Sequence, residues 1–223
     1  MEKNKKEKFG IIFLVVICCI VMALVETVIE PAYFVKSAVK VAVFSAVPLI
    51  VMKLLKIKIF DDNLKLNKKD VLRLLLLGGA IYGVIIGAFF LTRNVFDYSA
   101  LVVSLSEDQN VDGKNFILIA LYISFGNSFL EEFLFRFVSF IRLSEFISKK
   151  FAYIFSSLLF AVYHIAMIGS SFPLPLLFLA LFGLAVGGFI FDLVDDKSKN
   201  IYNSCIIHMF ADFAIMTIWF IHI

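Results

Sequence analysis

The sequence predicts an all-α, polytopic transmembrane helical bundle of about seven spanning helices with a cytoplasmic N-terminus. Three observations carry that expectation. Of the 223 residues, 61% are hydrophobic and the mean hydropathy is +0.97, against about half apolar in a soluble domain. The apolar residues come in repeated runs of roughly 17–22, the length a helix needs to cross a bilayer core. Between the runs, Lys and Arg alternate in density as the positive-inside rule requires. Sixteen of the 21 fall on the side of the N-terminus, four (Lys36, Lys40, Arg93 and Lys114) on the other, and Arg136 lies within a run.

Taken in order, Met1–Lys8 is a Lys-rich tail and Phe9–Val25 the first run. Val21–Glu26 offers no small-residue cleavage site of the A-x-A kind, so this run reads as a spanning helix that stays attached. Ser37–Ile57 is the second run, with Lys36 and Lys40 at its outer start and Pro48 as a kink. The polar loop Lys58–Asp70 follows, and Asn67 or Asp70 is placed to cap the next helix. The third run, Val71–Leu91, carries Gly78, Gly79, Gly83 and Gly87, a small-residue stripe that lets a second helix approach closely. Thr92–Lys114 is the longest loop. Asn115–Ile141 is the fourth run, Phe151–Ile168 the fifth, and Gly169–Pro173 a tight turn. Leu174–Phe191 is the sixth run, Asp192–Asn203 a polar loop whose Asp192, Asp195 and Asp196 read as a solvated face, and Ser204–Ile221 the seventh run. The organisation reads as one membrane domain with an accessory part, 1–114, and a core, 115–223.

Ionisable residues inside these runs are the informative ones. Glu131, Glu132 and Arg136 together cost on the order of 8–10 kcal/mol if unpaired and lipid-facing. Glu132 and Arg136 are four apart and can pair along one helix face. Glu131 points about 100° away and is left free of that pair. On its own side it extends a polar stripe through Ser124, Asn127 and Ser128. His164 lies near the far end of the fifth run, and His208 and Asp212 share a face of the seventh. The helical rise puts Glu131 about 15 Å from the inner end of its helix, Asp212 and His208 about 12 and 6 Å into theirs, and His164 about 20 Å into its own. Those depths are compatible with one pocket. The Glu132–Arg136 pair reads as a structural clip, which leaves two carboxylates and two histidines from three helices as a candidate site.

Other function classes find little support. No basic strip interleaved with aromatics suggests nucleic acid. Cys18, Cys19 and Cys205 form no metal or redox spacing and read as small buried hydrophobes. A proton-coupled transporter would use the same polar groups as a relay, but transporters carry inverted repeats and paired broken helices. Neither is present, and Pro48 has no counterpart in the second half.

Glu131-Glu132-x-x-x-Arg136, Phe160-x-x-x-His164 and His208-x-x-x-Asp212, in that order, resemble the three motifs of the CPBP family, the intramembrane CAAX-prenyl-protease-type and bacteriocin-processing endopeptidases also called the Abi family. The resemblance covers Asn115–Ile221. It implies an intramembrane endopeptidase in which Glu131 is the general base for a water molecule, assisted by His164. His208 and Asp212 would stabilise the oxyanion or complete the site, and Glu132 and Arg136 would hold the helix geometry. It implies a peptide or protein substrate at the bilayer, a multi-pass location in the cell membrane, and a role in prenyl-protein trimming or in bacteriocin processing or immunity. Two positions depart from the family pattern: Asp212 stands where Asn is common, and Phe137 where Gly is frequent. A reaction without a cofactor is the expectation. Glu131, His164, His208 and Asp212 also make a two-His, two-carboxylate set of the kind that binds zinc. The glycine stripe leaves the oligomeric state open.

Overall fold

A computed structural model of the chain describes residues 2–59, 68–99, 116–170 and 172–222. Among these the architecture is entirely helical, with seven helices long and apolar enough to cross a membrane. They are α1 (Lys5–Ile29), α2 (Tyr33–Leu54), α3 (Lys69–Thr92), α4 (Phe116–Glu145), α5 (Lys149–Ile168), α6 (Leu174–Ser198) and α7 (Tyr202–Ile221). Helix α4 is the hub and packs on α1, α5, α6 and α7, while α3 lies along α7 and α6 along α5. The outward faces carry large exposed apolar side chains, among them Phe13, Phe34, Leu76, Phe178 and Phe182. The interior holds Glu131, Glu132, Arg136, Asp192 and Asp195, all buried. That distribution suits a lipid-facing exterior around a polar interior. The 114/115 boundary, Asn67, and most of the loops Lys58–Asp70 and Thr92–Lys114 lie outside the described residues, and Asp70 sits in the first turn of α3.

Three element boundaries differ from the sequence-based expectation, each because a buried charge has a partner. Helix α1 runs on through a π turn, Val25–Ile29, and stops where Glu30 adopts a left-handed conformation (φ 42°) ahead of Pro31. Glu26, inside that turn, pairs with Lys36 at 2.7 Å. Helix α2 starts at Tyr33 rather than Ser37, so Lys36 and Lys40 are buried within the helix instead of anchoring its mouth. Helix α6 continues to Ser198, and Asp192 and Asp195 are wholly buried rather than solvated. Ser156 Oγ donates to Asp192 Oδ1 at 3.0 Å. Asp195 accepts the backbone N–H of Ser204 at 3.0 Å and its hydroxyl at 2.6 Å. A carboxylate from α6 thereby takes up a free donor in the first turn of α7, where the helix dipole also favours negative charge.

Pro48 does not kink α2 on its own. A π segment, Ala42–Ala46, precedes it, with the Val47 N–H bonding back to the Ala42 carbonyl. The proline then falls in the first turn of the following α-helical stretch, where its missing N–H costs little.

The glycine stripe of α3 divides. A Cβ on Gly78 would run into the Phe210 ring of α7, whereas one on Gly79, Gly83 or Gly87 meets nothing within 4 Å among the described residues. The close approach of α3 to α7 therefore runs through Gly78 and not through the Gly79–Gly83–Gly87 repeat that the sequence pattern favours. Gly78→Ala is expected to overpack this contact and cost roughly 1–3 kcal/mol. Gly83→Ala is expected to be neutral or to stabilise by up to about 1 kcal/mol through helix propensity. Thermal unfolding of the two variants in detergent checks the opposite signs, and a destabilised Gly83→Ala protein would contradict the open face.

Candidate active site

The site is built on two faces of one helix turn. Around it α4 departs from α-helical geometry, with π-helical stretches at Tyr122–Asn127 and Phe133–Arg142 flanking the α-helical Ser128–Glu132. Inserted π turns of this kind recur at functional sites because they redirect side chains without ending the helix. Here they bracket the two glutamates. Glu131 is 1% exposed and Glu132 fully buried.

Glu132 faces the structural side. Its Oε2 is ion-paired with Arg136 Nε at 3.1 Å and its Oε1 lies 2.8 Å from His208 Nδ1. Arg136 also approaches Asp192 Oδ1 at 3.8 Å. Its guanidinium stacks over the rings of Phe160 and Phe191, 4.4 and 5.1 Å from their centroids. Ring faces supply attraction where hydrogen-bond acceptors are absent. The expected Glu132–Arg136 clip is present, and it extends to α6 through Asp192.

Glu131 faces the other side and is asymmetric. Its Oε1 receives the Lys40 ammonium of α2 at 2.7 Å and the Asn127 amide at 3.1 Å. Its Oε2 has no hydrogen-bond partner among the described residues. It instead faces His164 Nε2 at 3.7 Å and His208 Nε2 at 3.8 Å. Both imidazoles are oriented from behind. His164 holds its Nδ1 2.7 Å from the Phe160 carbonyl, which fixes Nδ1–H as donor and leaves Nε2 toward the pocket. His208 is held at Nδ1 by Glu132 and stacks on Phe191 at 5.2 Å. Asp212 accepts the Ser128 hydroxyl at 2.6 Å through Oδ2, and its Oδ1 lies 3.7 Å from His208 Nε2.

The structure thus brings together Glu131, His164, His208 and Asp212, the four residues singled out from sequence. The Ser124–Asn127–Ser128 stripe becomes the wall of the site: Asn127 binds Glu131 and Ser128 binds Asp212. Sequence reasoning missed Lys40, whose partner lies 91 positions away. It also missed Asp192 as a partner of Arg136. For Lys40 the available signal was its spacing of four from Lys36 behind Glu26 and Glu30, and an α2 starting one turn earlier would have placed it inside the membrane. The least buried site side chains are Asp212 of α7 and His164 of α5, 17% and 14% exposed.

The four side chains do not form a metal cage. Among the described residues no group of three His, Cys, Asp or Glu is arranged to hold a metal ion. The Lys40 ammonium already neutralises Glu131 Oε1 and Ser128 takes Asp212 Oδ2, so two of the carboxylate donors face other partners. A divalent cation on Glu131 would sit against a fixed positive charge. That charge disfavours zinc at Glu131.

A buried carboxylate with one oxygen lacking a hydrogen bond among the described residues faces two imidazoles inside the helical bundle. Residues 113–214 match the family model described as "Type II CAAX prenyl endopeptidase Rce1-like", a little under half of the chain. This segment is similar to the Rce1-like CAAX endopeptidases, a family of intramembrane proteases acting on membrane-bound peptide or protein substrates. The matched span contains Glu131, Glu132, Arg136, His164, His208 and Asp212 and leaves out α1, α2 and α3. No curated protein and no solved structure matches the chain.

Breaking the clip from one side should be costly. Arg136→Met leaves Glu132 and Asp192 buried without their cation, an expected loss of about 3–5 kcal/mol. Adding Glu132→Gln should return part of that loss. Thermal unfolding of the single and double variants in detergent checks both, and a double variant no more stable than Arg136→Met would remove Glu132 as the partner that matters.

Proposed function

We propose that the protein hydrolyses a peptide bond of a membrane-associated peptide or protein, with Glu131 as general base and without a metal ion. The observation that carries this reading is the free Oε2 of Glu131 facing His164 Nε2 and His208 Nε2 at 3.7 and 3.8 Å. Those separations are too long for direct hydrogen bonds. They suit one water molecule held between the carboxylate and an imidazole.

In this reading Glu131 Oε2 takes a proton from the water while His164 Nε2 accepts the second O–H and orients the attacking lone pair. The water oxygen bonds to the scissile carbonyl carbon and the carbonyl oxygen becomes an oxyanion. His208, when both its nitrogens carry protons, donates Nδ1–H to Glu132 and presents Nε2–H to that oxyanion. Collapse breaks the C–N bond, and the proton held by Glu131 passes to the leaving amine. The second water proton, hydrogen-bonded to His164 Nε2, leaves through that nitrogen to solvent or to the amine, so that the products are a carboxylate and a protonated amine. Asp212, anchored by Ser128, sets the His208 ring from the far side of Nε2. The clip of Glu132, Arg136 and Asp192 holds the α4 backbone so that Glu131 keeps its direction.

The charge distribution of the loops supports a cytoplasmic N-terminus. Glu131 then lies near the midplane, at a depth a peptide anchored in the cell membrane can reach.

The protein reconstituted in liposomes with prenylated and unprenylated membrane-anchored peptides is expected to cleave at least one of them. Glu131→Gln and His164→Ala should each lower turnover by about 10²–10⁴-fold while keeping the helical content of the parent. Cleavage that survives both substitutions would sink the assignment, and activity lost to a chelator and restored by zinc would sink the metal-free chemistry. Asp212→Asn supplies an amide donor toward the oxyanion and is expected to keep turnover within about tenfold of the parent, with Asp212→Ala falling further. Kinetics of the two variants side by side check the order.

A further inference from the structure

We infer that Lys40 of α2 is a positioning residue for the base, so that the active site is completed by the part of the chain outside the family match. This rests on the proteolytic reading of Glu131. Lys40 is 5% exposed and donates to both Glu131 Oε1, at 2.7 Å, and Asn127 Oδ1. Its Nζ lies 5.4 and 5.3 Å from the ring centroids of Phe44 and Tyr163, so the ammonium is held on α2, α4 and α5 together. Burial of a lysine at this depth is costly unless it is paired, and its charged partner is the base itself.

The geometry assigns the two oxygens of Glu131 to different tasks. Oε1 is saturated by the Lys40 ammonium and the Asn127 amide, both of which prevent the carboxylate from rotating. Oε2 is thereby aimed at the two imidazoles. Without Lys40 the carboxylate loses its counter-ion and one of its two rotational stops, leaving the Asn127 amide, and no other Lys or Arg among the described residues is ion-paired with Glu131. The neighbouring Lys36 makes an equivalent ion pair one turn away, but with Glu26 of α1. It therefore serves as an internal control for loss of a buried lysine on the same helix.

The test is steady-state cleavage by the full-length protein in liposomes, comparing the parent with Lys40→Met, Lys40→Arg, Lys36→Met and Glu131→Gln. Lys40→Met is expected to lower kcat by at least about 10-fold with KM within about twofold, the signature of an interaction that acts on the chemical step. Lys40→Arg keeps the cation and should recover most of the loss, whereas a purely structural clip gives activity that follows the melting temperature in both variants. Lys36→Met should leave kcat unchanged. An unchanged kcat in Lys40→Met, or a KM effect alone, while Glu131→Gln is inactive overturns this inference and spares the proteolytic reading. An active Glu131→Gln protein overturns the proteolytic reading instead. Should Lys40→Met fail to fold, Lys40→Arg decides: a well-folded Lys40→Arg protein with parental KM and recovered turnover supports positioning by charge, and one with turnover as low as Glu131→Gln overturns it.

Discussion

Two adjacent carboxylates in the middle of a membrane helix are the constraint on which the rest of the bundle depends. Side by side on α4, Glu131 and Glu132 point about 100° apart, so one Lys or Arg side chain does not reach both. Each recruits its own. Glu132 takes Arg136 from the next turn of the same helix, and Glu131 takes Lys40 from α2. His208 of α7 stands between them, with Nδ1 on Glu132 and Nε2 toward Glu131. The demand of these two charges for partners therefore fixes α2, α5, α6 and α7 around α4 more specifically than apolar packing does, since lipid tails are as apolar as the helices they would replace.

The same arrangement separates support from chemistry. On the Glu132 side the charges are closed in. Arg136 is sandwiched by Phe160 and Phe191, Asp192 is held by Ser156, and Asp195 ties α6 to the start of α7. On the Glu131 side one carboxylate oxygen is left facing two oriented imidazoles. Phe160 links the halves: its ring lies under Arg136, its edge meets both histidines, and its carbonyl takes the Nδ1 of His164. The Phe-x-x-x-His spacing has a physical meaning in this setting, because a histidine four residues on can bond back to that carbonyl where the helix loosens at His164.

Fold class and most of the site were legible in the sequence. Seven apolar runs gave seven helices, because membrane insertion makes length and hydropathy nearly sufficient. Glu131, Glu132, Arg136, His164, His208 and Asp212 were legible because an ionisable residue inside an apolar run has to be accounted for. What escaped were charges near the ends of runs. Lys40, Asp192 and Asp195 sit where a boundary shift of a few residues turns a buried partner into a solvated anchor, and hydropathy cannot place a boundary that finely. The direction of the α3 glycines escaped for a related reason: the sequence shows that a small-residue face exists, and only packing shows that Gly78 is the one that meets Phe210.

Burial alone does not distinguish the two glutamates, since both are almost fully enclosed. Partner accounting does. Glu132 has one oxygen 2.8 Å from an imidazole and the other ion-paired with a guanidinium at 3.1 Å, although that second oxygen also lacks a hydrogen bond among the described residues. Glu131 has two donors on Oε1 and none within hydrogen-bond distance of Oε2 among the described residues. Leaving a buried acceptor unsatisfied costs about 1–3 kcal/mol, and more when it is charged. A purely structural role would favour sharing the Lys40 and Asn127 donors between the two oxygens. Concentrating them on one leaves the other facing the imidazoles, in a setting where low dielectric strengthens whatever Oε2 does bind. The asymmetry of that single carboxylate is the feature on which the proposed general-base role of Glu131 rests.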